Sequence, residues 1–190
     1  MICTDIIDLK EARVKSDWRR KGYLGKLFSK KEIEFIESSE DQEIAVWRLW
    51  SMKESAYKAD YHHTRERKFN PFKIQCDIQN PNTGLVCIDS RIYHTSSLIT
   101  KEFVLTWTTK NNGHTFCKAL RTGVHEVDAI SNLLYLKLRN ELANKFGMDP
   151  EDISIHKNGG APEVFLRGHM AGVYCSISHH GKFGSLLFCC

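Results

Sequence analysis

The chain has 190 residues, of which 42% are hydrophobic and 26% charged, with a formal net charge of +4. This composition is typical of a soluble globular protein with one large domain or two small lobes, and it excludes a membrane span because no apolar run approaches ~20 residues. The start, Met-Ile-Cys-Thr-Asp, lacks the basic region of a signal peptide, and the seven cysteines form no Cys-x-x-Cys pair, so reduced thiols in the cytoplasm are expected.

The first predicted element is a strand from Ile2 to Leu9, in which Asp5 and Asp8 interrupt apolar residues. A carboxylate within such a run is costly to bury unless it is paired or bound to a metal. Asp5 is therefore either an acid at a strand end that faces water or a candidate metal ligand. Asp8 would point to the opposite face of the strand.

A basic segment, residues 10–31, follows the strand. It is either a solvated face or a docking surface for an anionic partner. Its basic residues are Lys10, Arg13, Lys15, Arg19, Arg20, Lys21, Lys26, Lys30 and Lys31. The modest net charge and the absence of a recognition motif argue against a nucleic-acid-binding module.

Two helices are predicted next. Ser29 and Glu32 form a capping box, and a longer helix runs roughly from Gln42 to Tyr61. Glu54 and Lys58 are four residues apart and share one face of this helix. They are either a surface pair worth about 0.3–0.5 kcal/mol, or a carboxylate for a hard cation beside an ammonium for a phosphate.

The remaining chain is predicted to form an antiparallel meander, then a helix from about Asp128 to Phe146, then further strands. The strands of the meander are 71–78, 85–93, 103–109 and 115–120, with turns that include Asn80 to Gly84 and Asn111-Asn112-Gly113. We place the boundary between two lobes at residues 120/121, giving lobes 1–120 and 121–190. The second lobe contains a Gly159-Gly160 turn and ends with a His179-His180-Gly181 turn, a feature that is otherwise common in surface loops.

The stretch Trp50-Ser51-Met52-Lys53-Glu54-Ser55, with Lys58 four residues after Glu54, resembles the signature of the 4'-phosphopantetheinyl transferases. Ile2 to Ile7 looks like the Asp motif of that family, and residues 175–188 look like its Ser-His motif. These enzymes move the phosphopantetheine group of coenzyme A to a serine of a carrier protein and release 3',5'-adenosine bisphosphate.

The resemblance implies an α+β fold with two pseudo-symmetric lobes, each an antiparallel sheet packed against a long helix. It also implies magnesium and coenzyme A, an acidic carrier protein docked on the basic segment, no nucleic-acid or membrane partner, and a monomer. The expected catalytic residues are Glu54 and Lys58. Asp5 and Glu54 are the expected metal ligands, and the expected cofactor-binding residues are Ser178, His179, Lys157 and Lys53.

The order of the motifs differs from that of two-lobed relatives, in which the Ser-His motif precedes the Asp motif. We therefore expect a circular permutation, with neighbouring terminal strands. The chain also departs from the family pattern: Ile7 replaces the second acid, Ala161 replaces a lysine, and a phosphate-binding arginine has only Arg121 or His125 as replacements.

Two other interpretations stay open at this point. The departures from the family pattern leave room for a relative that binds coenzyme A or a carrier with little or no catalysis. A single-lobe transferase of the trimeric class fused to an unrelated domain is also conceivable, and it is excluded if the second lobe supplies His179 to the same site. Carriers of fatty-acid, polyketide and peptide synthesis all fit the resemblance equally.

Overall fold

The structure, a computed structural model, describes residues 1–66, 69–109, 115–124, 126–158 and 161–190. It contains two antiparallel sheets of five strands each, and each sheet has one long helix associated with it. This arrangement confirms the predicted α+β class with two lobes. The predicted turns at Asn111-Asn112-Gly113 and Gly159-Gly160 lie outside the described residues.

The first lobe has the strand order β1-β5-β4-β3-β2. Its strands are β1 (Thr4–Asp8), β2 (Ile74–Asn80), β3 (Thr83–Ile88), β4 (Arg91–Ile99) and β5 (Phe103–Thr108). Its helices are α1 (Leu9–Lys15), α2 (Leu24–Leu27), α3 (Lys30–Ser38) and α4 (Gln42–Thr64). The long helix α4 packs on the sheet, where Met52 lies so close to Gly84 that a Cβ there would be 2.6 Å from the methionine methyl.

The second lobe repeats this plan with the order β6-β10-β9-β8-β7. Its elements are β6 (Thr115–Arg121), α5 (Val127–Phe146), a 3-10 turn (Pro150–Asp152), β7 (Ile153–Asn158), β8 (Ala161–Leu166), β9 (His169–His180) and β10 (Phe183–Cys189). Each lobe thus consists of one strand, a long helix and a four-stranded meander. The shared topology makes the two lobes pseudo-symmetric.

The strand β6 corrects one expectation. We predicted that it would close the meander of the first lobe, but it pairs with β10, with Cys117 opposite Leu187. The physical reason is twofold. The backbone groups of β6 form hydrogen bonds with β10, the last strand of the chain, and Cys117 and Ala119 pack at the contact between the lobes. The chain therefore passes from the first sheet to the second before Thr115, which is earlier than the predicted lobe boundary at residues 120/121.

Local sequence signals account for the two long helices. The Asp41 carboxylate accepts a hydrogen bond from the Ile44 N–H and caps α4, and Gly147, with a φ of 62°, ends α5 in the left-handed conformation. Leu134, Leu138 and Leu142 are spaced four residues apart and form the buried side of α5. The Ser29–Glu32 capping box of α3 is present as predicted.

The lobes meet through an apolar contact that includes both chain ends. Ile2 packs with Leu187 and Cys189, and the rings of Phe103 and Phe183 are 4.9 Å apart. Burying such side chains stabilises the contact by about 1.5–3 kcal/mol each. The two lobes are therefore packed directly against each other. Among the helices in the described ranges, none has the length and apolarity needed to cross a membrane.

Candidate active site between the lobes

A cavity of about 610 Å³ lies between the two lobes. The first lobe contributes the C-terminal half of α4 and the start of the chain, and the second lobe contributes α5 and the β7–β9 region. The lining side chains are those of Cys3, Tyr57, Lys58, Tyr61, His62, Asp128, Ser131, Tyr135, Lys157, Pro162, Ser176, Ile177 and His179. Three predicted site residues, Lys58, Lys157 and His179, thus line one cleft.

Asp5 and Lys58 form the centre of the site. The Lys58 ammonium donates to Asp5 Oδ1 at 2.7 Å, and it is also 3.4 Å from both the Thr4 carbonyl oxygen and Ser178 Oγ. Asp5 is only 7% exposed, so it is not an acid at a strand end in water. Burial lowers the pKa of Lys58, but the carboxylates of Asp5 and Glu54 outweigh this effect, so the pKa is raised and the ammonium stays charged.

Glu54 is one helical turn before Lys58 on the same side of α4. Burial, reinforced by the negative charge of Asp5 and opposed by the positive charge of Lys58, raises the pKa of Glu54 to about 7. A carboxyl group with this pKa can gain and lose a proton near neutral pH, as a general base or acid must. The buried Asp5 carboxylate and the half-buried Glu54 carboxylate therefore repel each other.

The second lobe brings Ser178 and His179 to this pair. Ser178 Oγ donates to Asp5 Oδ1 at 3.5 Å, which places the hydroxyl beside the Asp5–Lys58 pair. His179 lines the cleft, where burial, the Lys58 ammonium and His180 lower its pKa. A neutral imidazole is therefore the main form at pH 7, and such a ring can donate a hydrogen bond to an anion.

Lys53 corrects another expectation. Its ammonium is fully buried, pairs with Glu32 at 2.9 Å and donates to the Pro71 carbonyl oxygen at 2.8 Å, on the side of α4 that faces α3 and β2. Consecutive residues differ by about 100° around a helix, so Lys53 points away from the side of α4 that carries Glu54 and Lys58. Lys53 therefore ties α3, α4 and β2 together and does not reach the cleft as a cofactor ligand.

The donor set around Asp5 fits a divalent cation that also binds substrate oxygens. Asp5 Oδ2 is buried and has no hydrogen-bond partner among the described residues, while Glu54 supplies a second carboxylate. In the part of the chain that the structure describes, no group of three His, Cys, Asp or Glu side chains is placed to hold a metal ion by itself. Two carboxylates completed by phosphate oxygens and water are a common way for proteins to bind Mg²⁺.

Several residues of the cleft were missed from the sequence. Tyr61 and His62 follow Lys58 by three and four residues, so helical periodicity alone could have identified them. Asp128, Ser131 and Tyr135 are spaced by three and four residues and form a polar stripe on α5. The cleft is therefore cationic on the side of Lys58 and carries an acid and two hydroxyl groups on the side of α5.

Two residues were suggested as replacements for the missing phosphate-binding arginine, Arg121 and His125. Arg121 donates to Glu102 and lies on an exposed surface, and it does not line the cleft. His125 and Gly160 lie outside the described residues.

The basic segment 10–31 is exposed at all nine of its lysines and arginines, although Arg13 pairs with Glu43 at 2.7 Å and Lys31 with Asp77 at 3.4 Å.

One comparison with known proteins identifies the family of this chain. The family model described as the 4'-phosphopantetheinyl transferase superfamily matches residues 1–117. Among solved structures, the chain is similar to the holo-[acyl-carrier-protein] synthase (AcpS) of Thermotoga maritima, with 10% identity, a TM-score of 0.43, and coverage of 62% of this chain and 67% of that one. A search of curated proteins found no match. Because the family model covers more than half of the chain, including Asp5, Glu54 and Lys58, the protein belongs to the 4'-phosphopantetheinyl transferase superfamily.

Proposed function

We propose that this protein transfers the 4'-phosphopantetheine group of coenzyme A to a serine of an acidic acyl or peptidyl carrier protein. The observation that carries the proposal is the meeting of Asp5, Glu54 and Lys58 of one lobe with Ser178 and His179 of the other. Two carboxylates that repel each other, a charged ammonium and a neutral imidazole suit a reaction in which charge moves between phosphate oxygens.

In the proposed reaction, the serine Oγ of the carrier forms a bond to the β-phosphorus of coenzyme A. The bond from that phosphorus to the oxygen of the α-phosphate breaks, and 3',5'-adenosine bisphosphate leaves. Glu54 accepts the serine proton, which suits a carboxyl group whose pKa is about 7. The leaving phosphate gains negative charge, and the Lys58 ammonium stabilises it.

Asp5 and Glu54 would hold the magnesium ion, which supplies positive charge to the pyrophosphate oxygens when it is bound. Ser178, His179 and Lys157 bind phosphate oxygens of the nucleotide. The exposed basic segment 10–31 attracts the acidic carrier, and because one chain supplies both walls of the cleft, a monomer is sufficient. The permuted order of the motifs is supported by the packing of Ile2 against Cys189, which brings the two chain ends together.

One observation favours a second candidate, a relative that binds coenzyme A or a carrier without efficient catalysis. The Lys58 ammonium already neutralises Asp5 at 2.7 Å, so a cation must compete with it for that carboxylate. Under this alternative, coenzyme A binds, the cation binds only weakly, and the pyrophosphate bond of coenzyme A stays intact.

A labelling experiment tests the proposal. The protein is incubated with coenzyme A, magnesium and a panel of apo carrier proteins, and the carriers are analysed by intact mass spectrometry. We expect one phosphopantetheine group on the carrier serine, no labelling when EDTA replaces magnesium, and none on a carrier with serine replaced by alanine. Tight binding of coenzyme A with no labelling of any carrier would establish the non-catalytic candidate instead.

A further inference from the structure

Asp8 connects the two lobes near the cleft. It is the last residue of β1, and it is 3% exposed. Its Oδ1 atom accepts hydrogen bonds from the backbone N–H groups of Lys10 at 3.0 Å and Glu11 at 3.2 Å, so it caps α1. Its Oδ2 atom accepts from the backbone N–H of Lys182 in the second lobe at 3.0 Å. Both oxygens of this carboxylate are therefore engaged by backbone donors.

A second hydrogen bond joins the same two segments. The backbone N–H of Asp8 donates to His180 Nδ1 at 3.0 Å. The residues that Asp8 contacts, His180 and Lys182, lie on either side of Gly181 in the turn between β9 and β10. Asp8 thus holds this turn from two sides, through its backbone and through its side chain.

The conformation of the turn at Gly181 allows it to lie against Asp8. Gly181 has a φ of 54°, which disfavours a side chain, and a Cβ at this position would be 2.5 Å from Asp8 Oδ2 and 2.8 Å from Asp8 Cβ. A glycine therefore lets the turn contact Asp8 directly. Because the fit depends on both residues, a change in either one should move the turn.

The turn begins directly after His179. This residue lines the cleft that contains Lys58, and it also lines a neighbouring cavity of about 540 Å³ bordered by Asp8, Gly181 and Lys182. The backbone of His179 cannot move independently of His180, which bonds to Asp8. The contact between Asp8 and the turn therefore determines where the His179 imidazole stands relative to Lys58.

We propose that Asp8 is a positioning residue, which holds the turn from His180 to Lys182 so that His179 is placed in the cleft to bind the phosphates of coenzyme A. This inference rests on the proposed function for its ligand. It assigns Asp8 a role that is distinct from metal binding, since neither of its carboxylate oxygens is free. It also explains why an acid at the end of this strand is buried rather than exposed to water.

Two variants separate the positioning role from the helix cap. In Asp8→Asn the amide oxygen can still cap α1, and asparagine is a good capping residue, but the NH₂ group meets the Lys182 N–H donor to donor. In Gly181→Ala the capping residue Asp8 is kept, and the added methyl group clashes with Asp8 and pushes the turn away. The matched control is Asp41→Ala, which removes the cap of α4 without a contact to the second lobe.

Binding of coenzyme A and of 3',5'-adenosine bisphosphate is measured by calorimetry, and kcat and KM by the labelling assay. For Asp8→Asn and Gly181→Ala we expect affinity about tenfold weaker and KM raised accordingly, as for loss of one well-placed hydrogen bond to a charged group, with a smaller change in kcat. The His179 ring resonances in NMR spectra should shift in both variants and stay unchanged in Asp41→Ala.

Wild-type affinity in either variant, or unchanged His179 resonances, overturns the proposal and leaves Asp8 as a helix cap. If the wild-type protein binds no coenzyme A, the proposed function fails. The His179 resonances in the unliganded protein then still decide whether Asp8 positions the turn.

Discussion

Replacing Glu54 by glutamine should have opposite effects on activity and on stability. The substitution removes the proposed proton acceptor and one of the two carboxylates for magnesium, so we expect transfer to the carrier to be lost. It also removes a half-buried negative charge from the neighbourhood of Asp5. In the metal-free protein we therefore expect Glu54→Gln to raise the free energy of unfolding above neutral pH.

The size of this effect follows from the pKa of Glu54, which rises from 4.5 to about 7 on folding. At about 1.4 kcal/mol per pKa unit, the ionised carboxylate destabilises the folded state by up to about 3 kcal/mol at pH 8, and solvent near the partly exposed side chain reduces this to about 1–3 kcal/mol. Because the pKa is raised in the folded state, the wild-type protein keeps its full stability below pH ~4.5 and loses this contribution as the pH rises through about 7.

Urea unfolding of both proteins in EDTA between pH 5 and pH 8.5 measures the difference. We expect Glu54→Gln to gain stability relative to the wild type between pH 5 and about 7, and the difference to level off at higher pH. Added magnesium with coenzyme A should stabilise only the wild type. The matched control is Glu34→Gln, which alters an exposed glutamate of α3 and should show no such pH dependence. A difference that is constant with pH would refute the raised pKa of Glu54, and full transfer activity would remove Glu54 from the mechanism.

Three further predictions test other parts of the structure. Lys53→Met leaves the Glu32 carboxylate buried without its cation and should lower the free energy of unfolding by about 3–5 kcal/mol, measured in urea, whereas an exposed Lys30→Met should change it little. His179→Ala should raise KM for coenzyme A more than it lowers kcat, and because the pKa of His179 is lowered, the wild-type KM should vary little between pH 7 and 8 in the labelling assay. Leu138→Ala opens a cavity in the fully buried core of the second lobe and should cost about 2–5 kcal/mol by the same urea measurement.

The local features of the fold were predictable from the sequence. The span of α4, the capping box at Ser29 and the helix that ends before Gly147 depend on neighbouring residues and on a period of 3.6, which can be read along the chain. For the same reason, the placement of Glu54 and Lys58 on one side of a helix needed no tertiary information. These residues carry the family motif, so much of the site could be proposed in advance.

The features that the sequence did not predict depend on contacts between residues that are distant along the chain. The pairing of β6 with β10 joins residues about 70 positions apart along the chain, and a short turn after β5 suggested a local hairpin instead. The sequence around Lys53 offers no sign that Glu32 and two carbonyl groups surround its ammonium. Likewise, Asp8 could be assigned to a strand, but its bond to Lys182 requires the end of the chain to be in place.

The two lobes share a topology but carry opposite charges at equivalent positions. Asp8 pairs with Phe103 and Arg121 pairs with Phe183, and the two phenylalanine rings are in contact. Three residues before these positions, β1 has Asp5 and β6 has Lys118.

Each of these residues forms an ion pair with the long helix of its own lobe, Asp5 with Lys58 at 2.7 Å and Lys118 with Glu141 at 2.6 Å. In the first lobe the strand residue is the acid, and it keeps a buried carboxylate oxygen without a partner. In the second lobe the strand presents an ammonium, which repels a cation. The pseudo-symmetric fold thus has a buried acid with an unpaired oxygen at only one of these two equivalent positions, because the sign of one ion pair is reversed.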